Sequence, residues 1–323
     1  MKKYLGSICC FLLLACQGNV VPTEQPESVQ GEKNIVQARF EGDLIWLDIP
    51  SKNGEKTTLF TDTGGGNFLH PPAVEKLEVK LSRIKQGGET TQLADVGPLF
   101  EQLSIPPPIG GLYVLDQEAR FGITDGMLGS RWFGDKIWRL DYGAGKLSQI
   151  DTIRWAQLDP NHVVRLGFQR NMQGLHLSHF PRIPIVVEGD TIHMLFDTGA
   201  STRLSDAHFQ ELNDGLPQQR AVSFIIDSLF RQWQNAHPDW RVLAGGDGFF
   251  DQDMIEVPGI QIGGHQIGPV WFARRDDQNF TEYMSQWMDQ PIVGALGGSA
   301  FRYLDILLDY RTELAYFQKK NDK

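Results

Sequence analysis

Leu59-Phe60-Thr61-Asp62-Thr63-Gly64-Gly65-Gly66 in the first half of the chain and Met194-Leu195-Phe196-Asp197-Thr198-Gly199-Ala200-Ser201 in the second are one device written twice. In each, an apolar run with strand character ends on Asp-Thr-Gly. A carboxylate is thereby delivered at the mouth of a core strand, and the glycine that follows permits a tight turn. A single Asp-Thr-Gly is an ordinary strand-end turn. Two copies, each behind the same kind of strand and ahead of the same later motif, ask for a common cause.

The later motif is two apolar residues and a glycine, Met127-Leu128-Gly129 in the first half and Ala295-Leu296-Gly297 in the second. From there a shift of 168 residues aligns Leu128-Gly129 with Leu296-Gly297, Phe133 with Phe301, and Leu140-Asp141-Tyr142 with Leu308-Asp309-Tyr310, without a gap. The chain therefore contains an internal duplication. Upstream the halves agree again: 45–49 leads through Asn53-Gly54 into 57–61, as 183–187 leads through Glu188-Gly189-Asp190 into 192–196. Both pairs read as β-hairpins. Because the Asp-Thr-Gly copies are offset by only 135, the second half holds 33 extra residues, expected between Ser205 and Gly245. There Val222, Ile225, Ile226, Leu229 and Trp233 recur at helical spacing, which predicts an amphipathic helix, packed on the outside or serving as a lid.

Two lobes, each with Asp-Thr-Gly followed by apolar-apolar-Gly, resemble the aspartic peptidases, whose pepsin branch is a fused pair of lobes and whose retropepsin branch is a dimer of single lobes. The resemblance covers roughly residues 38–318. Asp62 to Asn67 followed by Pro71 is similar to the pepsin first-lobe pattern, and Asp197-Thr198-Gly199-Ala200 to the retropepsin one. There are departures: no tyrosine stands where a pepsin flap carries one, and only 67 residues separate Asp62 from Gly129. Those dimensions favour a fused retropepsin-like pseudo-dimer.

The resemblance implies an all-β, bilobal acid-protease fold, with two pseudo-symmetric β-barrel lobes, a cleft between them and a helical insert in the second. Lobe 1 is expected over 38–150, the connection over 151–174 and lobe 2 over 175–318. It implies that Asp62 and Asp197 face each other and share a proton, since two carboxylates held ~3 Å apart cannot both ionise. One would activate a water, and the other would polarise the scissile carbonyl of a polypeptide substrate. Thr63 and Thr198 would interlock the two loops, Gly64 and Gly199 would let amides approach the carboxylates, and Gly129 and Gly297 would sit behind the loops. No metal, cofactor or nucleophilic side chain is implied, and the fused pair implies a monomer. The non-catalytic alternative is an envelope lipoprotein that binds peptides in the same cleft.

Other stretches are read more openly. Gly87-Gly88 lie between alternating segments and fit either a flap tip or a plain surface turn. Gly245-Gly246 is a candidate for the second lobe's flap. Asp141 and Asp309 read as residues that cap or orient a late strand. His176 and His179 lack a nearby Glu or Cys in sequence to complete a metal set and read as structural. Gly65 and Ala200 stand where acid-adapted family members place a hydroxyl beside the carboxylate. Losing that donor shifts the expected activity from strongly acidic toward mildly acidic or neutral pH.

Composition and termini bound the rest. At 41% hydrophobic and 22% charged, 323 residues can bury sizeable cores; 34 glycines and 17 prolines suit a turn-rich β protein. A formal charge of −10 gives no support to nucleic-acid binding. Lys2-Lys3 and the apolar run to Ala15 form a targeting segment too short to span a bilayer. It ends in Leu13-Leu14-Ala15-Cys16, which resembles the bacterial lipobox and implies cleavage before Cys16 and lipidation of its side chain; a plain signal peptide is the alternative. Gln17 after the cysteine resembles the outer-membrane sorting pattern, with the body facing the periplasm. All three cysteines, Cys9, Cys10 and Cys16, lie in that segment, so no disulfide or zinc-thiolate site is expected in the body. Residues 17–37 read as a disordered tether or a short propeptide.

Overall fold

The computed structural model describes residues 29–51, 54–86, 88–115, 122–123 and 125–320. The signal segment 1–16 with Cys16, the tether as far as residue 28, Asn53 and Gly87 lie outside the described residues. Three large sheets carry the fold, one for each lobe and one shared between them.

Both expected hairpins form. Leu44–Pro50 pairs antiparallel with Lys56–Thr61, and Arg182–Val187 with Asp190–Phe196. In each lobe the strand that ends at Asp-Thr-Gly then takes the apolar-apolar-Gly strand as a parallel neighbour: Lys56–Thr61 beside Gly126–Leu128, and Asp190–Phe196 beside Gly294–Leu296. These strands are buried on both faces and so carry uninterrupted apolar runs.

From there the lobe sheets match strand for strand. In the first, Gly126–Leu128 is followed by Phe68–Leu69, Leu112–Val114, Glu89–Asp95 and Lys80–Gln86. In the second, Gly294–Leu296 is followed by Ser223–Ile226, Val270–Arg275, Gln252–Val257 and Val242–Asp247. Neither sheet closes into a barrel: the first ends at edge strands Ala38–Glu41 and Lys80–Gln86, the second at Val242–Asp247 and His265–Ile267. The expected barrels are thus open sheets.

This correspondence corrects the expected insert. Phe68 and Phe224 occupy equivalent pairing positions, opposite Met127 and Ala295 respectively. Val222, Ile225 and Ile226 therefore belong to a strand region, not to a helix, and the helix starts only at Asp227 (Asp227–Ala236). It is the counterpart of Pro71–Leu77 in lobe 1 and buries Phe230 and Trp233. With Phe68 and Phe224 offset by 156, 21 of the 33 extra residues precede the strand. They include a small two-stranded sheet, Ser201–Arg203 with Gln219–Ala221, and the helix Asp206–Leu212, which buries no residue. A glycine turn of lobe 1 docks on this addition, where the Ala221 amide donates to the Gly42 carbonyl at 2.7 Å.

The shared sheet runs Val29–Val36, Lys146–Ile153, Ile137–Asp141, Leu304–Asp309, Leu314–Lys319, Val163–Arg165. Its two central strands pair antiparallel with Arg139 opposite Leu307. Since 307 − 139 = 168, the sequence repeat and the sheet register agree, and the local two-fold axis passes through that pair. The outer strands are equivalent too: Val36 pairs with Leu147 as Val164 pairs with Ala315, partners again 168 apart. The repeat therefore begins earlier in each half than its motifs indicate. Residues 29–36 of the expected tether are a sheet strand, and residues 163–165 of the expected connection are its counterpart.

Cores fill each lobe behind the site. Phe133 and Phe301, aligned by the repeat, are fully buried, Phe301 stacking on Phe196 at 4.1 Å and Phe133 packing against Trp132 and Trp138. Asp141 and Asp309 cap the turns after their strands: Asp141 accepts from the Gly143 and Ala144 amides, Asp309 from those of Arg311 and Thr312. Among the described residues no helix is long and apolar enough to cross a membrane.

Candidate active site

The two Asp-Thr-Gly loops meet on the two-fold axis. The apolar-apolar-Gly strands set their height, because the Asp62 amide donates to the Leu128 carbonyl at 3.0 Å and the Asp197 amide to the Leu296 carbonyl at 2.9 Å. Each carboxylate is then steadied by the loop's own glycine: Gly64 N–H donates to Asp62 Oδ1 at 2.7 Å, and Gly199 N–H to Asp197 Oδ1 at 2.9 Å.

The threonines lock the loops together across the lobes. Thr63 Oγ1 donates to the Phe196 carbonyl at 2.6 Å and accepts from the Thr198 amide at 3.0 Å. Thr198 Oγ1 accepts from the Thr63 amide at 3.1 Å and lies 3.5 Å from the Thr61 carbonyl. Both threonines are fully buried.

The glycines are required by the opposite carboxylate. A Cβ on Gly64 would sit 2.7 Å from Asp197 Cγ, and one on Gly199 would collide with the carboxyl of Asp62. Each Asp therefore lies against the other lobe's loop. Gly129 and Gly297 back the loops so closely that a side chain on either would strike backbone carbonyls, those of Gly65 and Gly66 for one and of Val222 for the other. Two further residues hold these glycines: Asn67, which closes the first-lobe motif, and Ser223, which the sequence does not single out. The Gly129 amide donates to Asn67 Oδ1, and at the equivalent place the Gly297 amide donates to Ser223 Oγ at 3.1 Å. Each precedes one of the equivalent phenylalanines, Phe68 and Phe224, a signal only the aligned strands reveal.

Asp197 is buried and Asp62 half-buried, and the side chains are within hydrogen-bonding reach of each other. Burial, then the neighbouring Asp197 charge, pushes the Asp62 carboxyl well above its ordinary value of 3.8. Burial raises Asp197 as well, while the hydrogen bond from Asp62 and the amides of Gly199 and Ala200 oppose the rise. Both carboxyls are raised, so the couple keeps one proton between its two members. Beneath it lie the repeated tyrosines. Burial holds the phenols of Tyr142 and Tyr310 well above their ordinary value, helped by Asp43 and then Asp197 for the first and by Asp62 for the second, so both stay neutral.

Gly65 has no room for a side chain: a Cβ there would stand 2.5 Å from both Asp62 Oδ2 and Met127 Sδ. The methionine sulfur occupies the space in which a hydroxyl would otherwise reach the carboxylate.

Among the flap candidates, Gly88 (φ 89°) lies at the tight turn joining Lys80–Gln86 to Glu89–Asp95. Gly245 and Gly246 do not form a tip. They lie within Val242–Asp247 at a register shift, and the connecting turn is 248–251. Beside the loop that follows Asp62 opens a cavity of about 440 Å³, lined in part by Gly66, Asn67, Tyr113, Ser130 and Phe180. His176 and His179 line it too, and Asp135, from lobe 1, joins them.

No family model matches the sequence. Nor does any curated protein sequence. The fold does have a solved counterpart. The crystal structure of an aspartic proteinase from Irpex lacteus aligns with 89% of this chain and 97% of its own length, at a TM-score of 0.50 and 10% identity. At that identity the likeness establishes the fold alone: all-β, bilobal and pepsin-like.

Proposed function

We propose that the chain is an aspartic endopeptidase of the bacterial cell envelope, anchored through a lipid on Cys16 and acting on polypeptides from the periplasmic face of the outer membrane. The observation that carries the reading is the hydrogen-bonded Asp62–Asp197 couple on a pseudo-two-fold axis, locked by Thr63 and Thr198. Charged Asp197 would take a proton from a water held between the carboxyls. Protonated Asp62 would polarise the peptide carbonyl, and a proton then passes to the leaving amine. The fold of the Irpex lacteus proteinase supports the same chemistry. The filled space at Gly65 supports an optimum in mildly acidic to neutral solution.

A peptide-library digest tests this, comparing the full chain with Asp62→Asn and Asp197→Asn across pH. Cleavage by the wild type alone, losing at least 10³-fold in either variant, is the expected result. Equal peptide binding by all three proteins without any cleavage would establish the peptide-binding lipoprotein instead. An optimum near pH 2 to 3, on the order of the lower pepsin-type values, would overturn the pH assignment.

A further inference from the structure

We propose that Asp135, His176 and His179 form a transition-metal site, of the kind that takes Zn²⁺, on the wall of the cavity beside the Asp62 loop. Asp135 comes from lobe 1 and the two histidines from one segment entering lobe 2, and each of the three places a ligand atom within 4.8 Å of the other two. A zinc ion bound at ~2.0–2.2 Å needs its ligands roughly 3.4 Å apart, so side-chain shifts on the order of 1 Å close the set. His179 Nε2 already stands 3.6 Å from Asp135 Oδ1, and the rings of the two histidines meet edge to face at 5.7 Å.

The surroundings are built around these groups. Asp135 turns the chain in a left-handed conformation (φ 58°) just after the helix Ser130–Phe133. Gly134 lies flush on the His179 imidazole, and a Cβ there would enter the ring. His176 is stacked on Phe168 at 4.8 Å and held by Glu313, whose carboxylate lies 2.7 Å from its Nε2. A carboxylate on one imidazole nitrogen is the arrangement that orients metal-binding histidines, and it leaves Nδ1 as the nitrogen His176 has to offer. Glu313 is itself paired with Arg170, which fixes the carboxylate.

Two imidazoles and a carboxylate are a donor set suited to zinc, with a fourth position left open. Both histidines line the cavity, so a water from that side would complete the coordination. The ion would fasten lobe 1, through Asp135, to the segment entering lobe 2, through His176 and His179. The site stands independently of the peptidase reading.

The test is calorimetric titration of the chelator-stripped full chain with Zn²⁺ alone. One saturable site is expected, weakened at least tenfold by Asp135→Asn and by His179→Gln and by about 10–100-fold by Glu313→Gln. His208→Gln, whose ring bonds Ser205 away from the cavity, should bind zinc as the wild type does. Asp135 is exposed, so Asp135→Asn is expected to melt with the parent and to report on binding alone. Absence of saturable zinc binding, or binding unchanged in both Asp135→Asn and His179→Gln while they remain folded, would overturn the assignment and leave two simple histidine–carboxylate pairs.

Discussion

The interlocked threonines are equivalent by position and unequal by geometry, which allows a direct test. Replacing Thr63 with valine removes a hydroxyl that donates at 2.6 Å and accepts at 3.0 Å, both to backbone groups of the second lobe. The Phe196 carbonyl and the Thr198 amide are left buried without those partners, at ~1–3 kcal/mol each, so a loss of about 3–4 kcal/mol is expected. Thr198→Val removes the acceptor of the Thr63 amide at 3.1 Å, but its other contact, at 3.5 Å, is at the limit of a hydrogen bond and contributes little. That variant should lose about 1–3 kcal/mol. Urea melts of the two single variants and the double variant would measure the order, read from midpoints at unchanged slope. Because each hydroxyl accepts from the other threonine's amide, the two sites are coupled and the double variant should depart from the sum. Equal losses, or a larger loss in Thr198→Val, would refute the reasoning that bond geometry makes Thr63 the dominant member.

Two further outcomes follow from buried charge. A carboxyl whose folded value is raised contributes stability that is complete below its unfolded value, ordinarily 3.8, and lost as pH climbs through the folded value. Asp62→Asn should therefore gain thermal stability relative to the wild type as pH rises from about 4 to 7, and a difference in melting temperature that does not grow with pH would contradict this. In lobe 2, Asp247 and Arg275 form a buried ion pair at 2.7 Å, the guanidinium lying 3.9 Å from the Phe224 ring and 4.2 Å from that of Phe250. Asp247→Ala should lose about 3–5 kcal/mol in a denaturant melt by leaving that cation unpaired, whereas the double variant Asp247→Ala, Arg275→Met should recover a large part of it.

What was legible in the sequence was whatever repeats with side-chain identity. The Asp-Thr-Gly loops, their hairpins and the 168-residue offset are written in residues that a strand end, a tight turn and a close approach demand. Ser223 is not legible as the counterpart of Asn67 because different side chains do one job, offering an oxygen to a glycine amide. The strand Val29–Val36 was hidden by its polar stretch Gln-Gly-Glu-Lys-Asn and by a counterpart only three residues long, Val163–Arg165; both are edge strands held through backbone pairing. The strand Ser223–Ile226 reads as helix in the sequence because its core positions form a continuous apolar run, which lacks the alternation that marks a half-buried strand. Asp135 could not be joined to His176 and His179 from sequence, since only the folded connection brings them together.

The centre of the shared sheet also bears on origin. A single-lobed ancestor docking with its own copy could have closed the same six strands, with residue 139 of one copy meeting the equivalent of 307 in the other. In the present chain Arg139 reaches Asp305 at 2.7 Å, while the mirrored positions, Leu307 and Ile137, can form no ion pair. That clasp, which has no mirrored counterpart, breaks the equality of the halves, so each, produced as a separate polypeptide, should prefer its complement to itself.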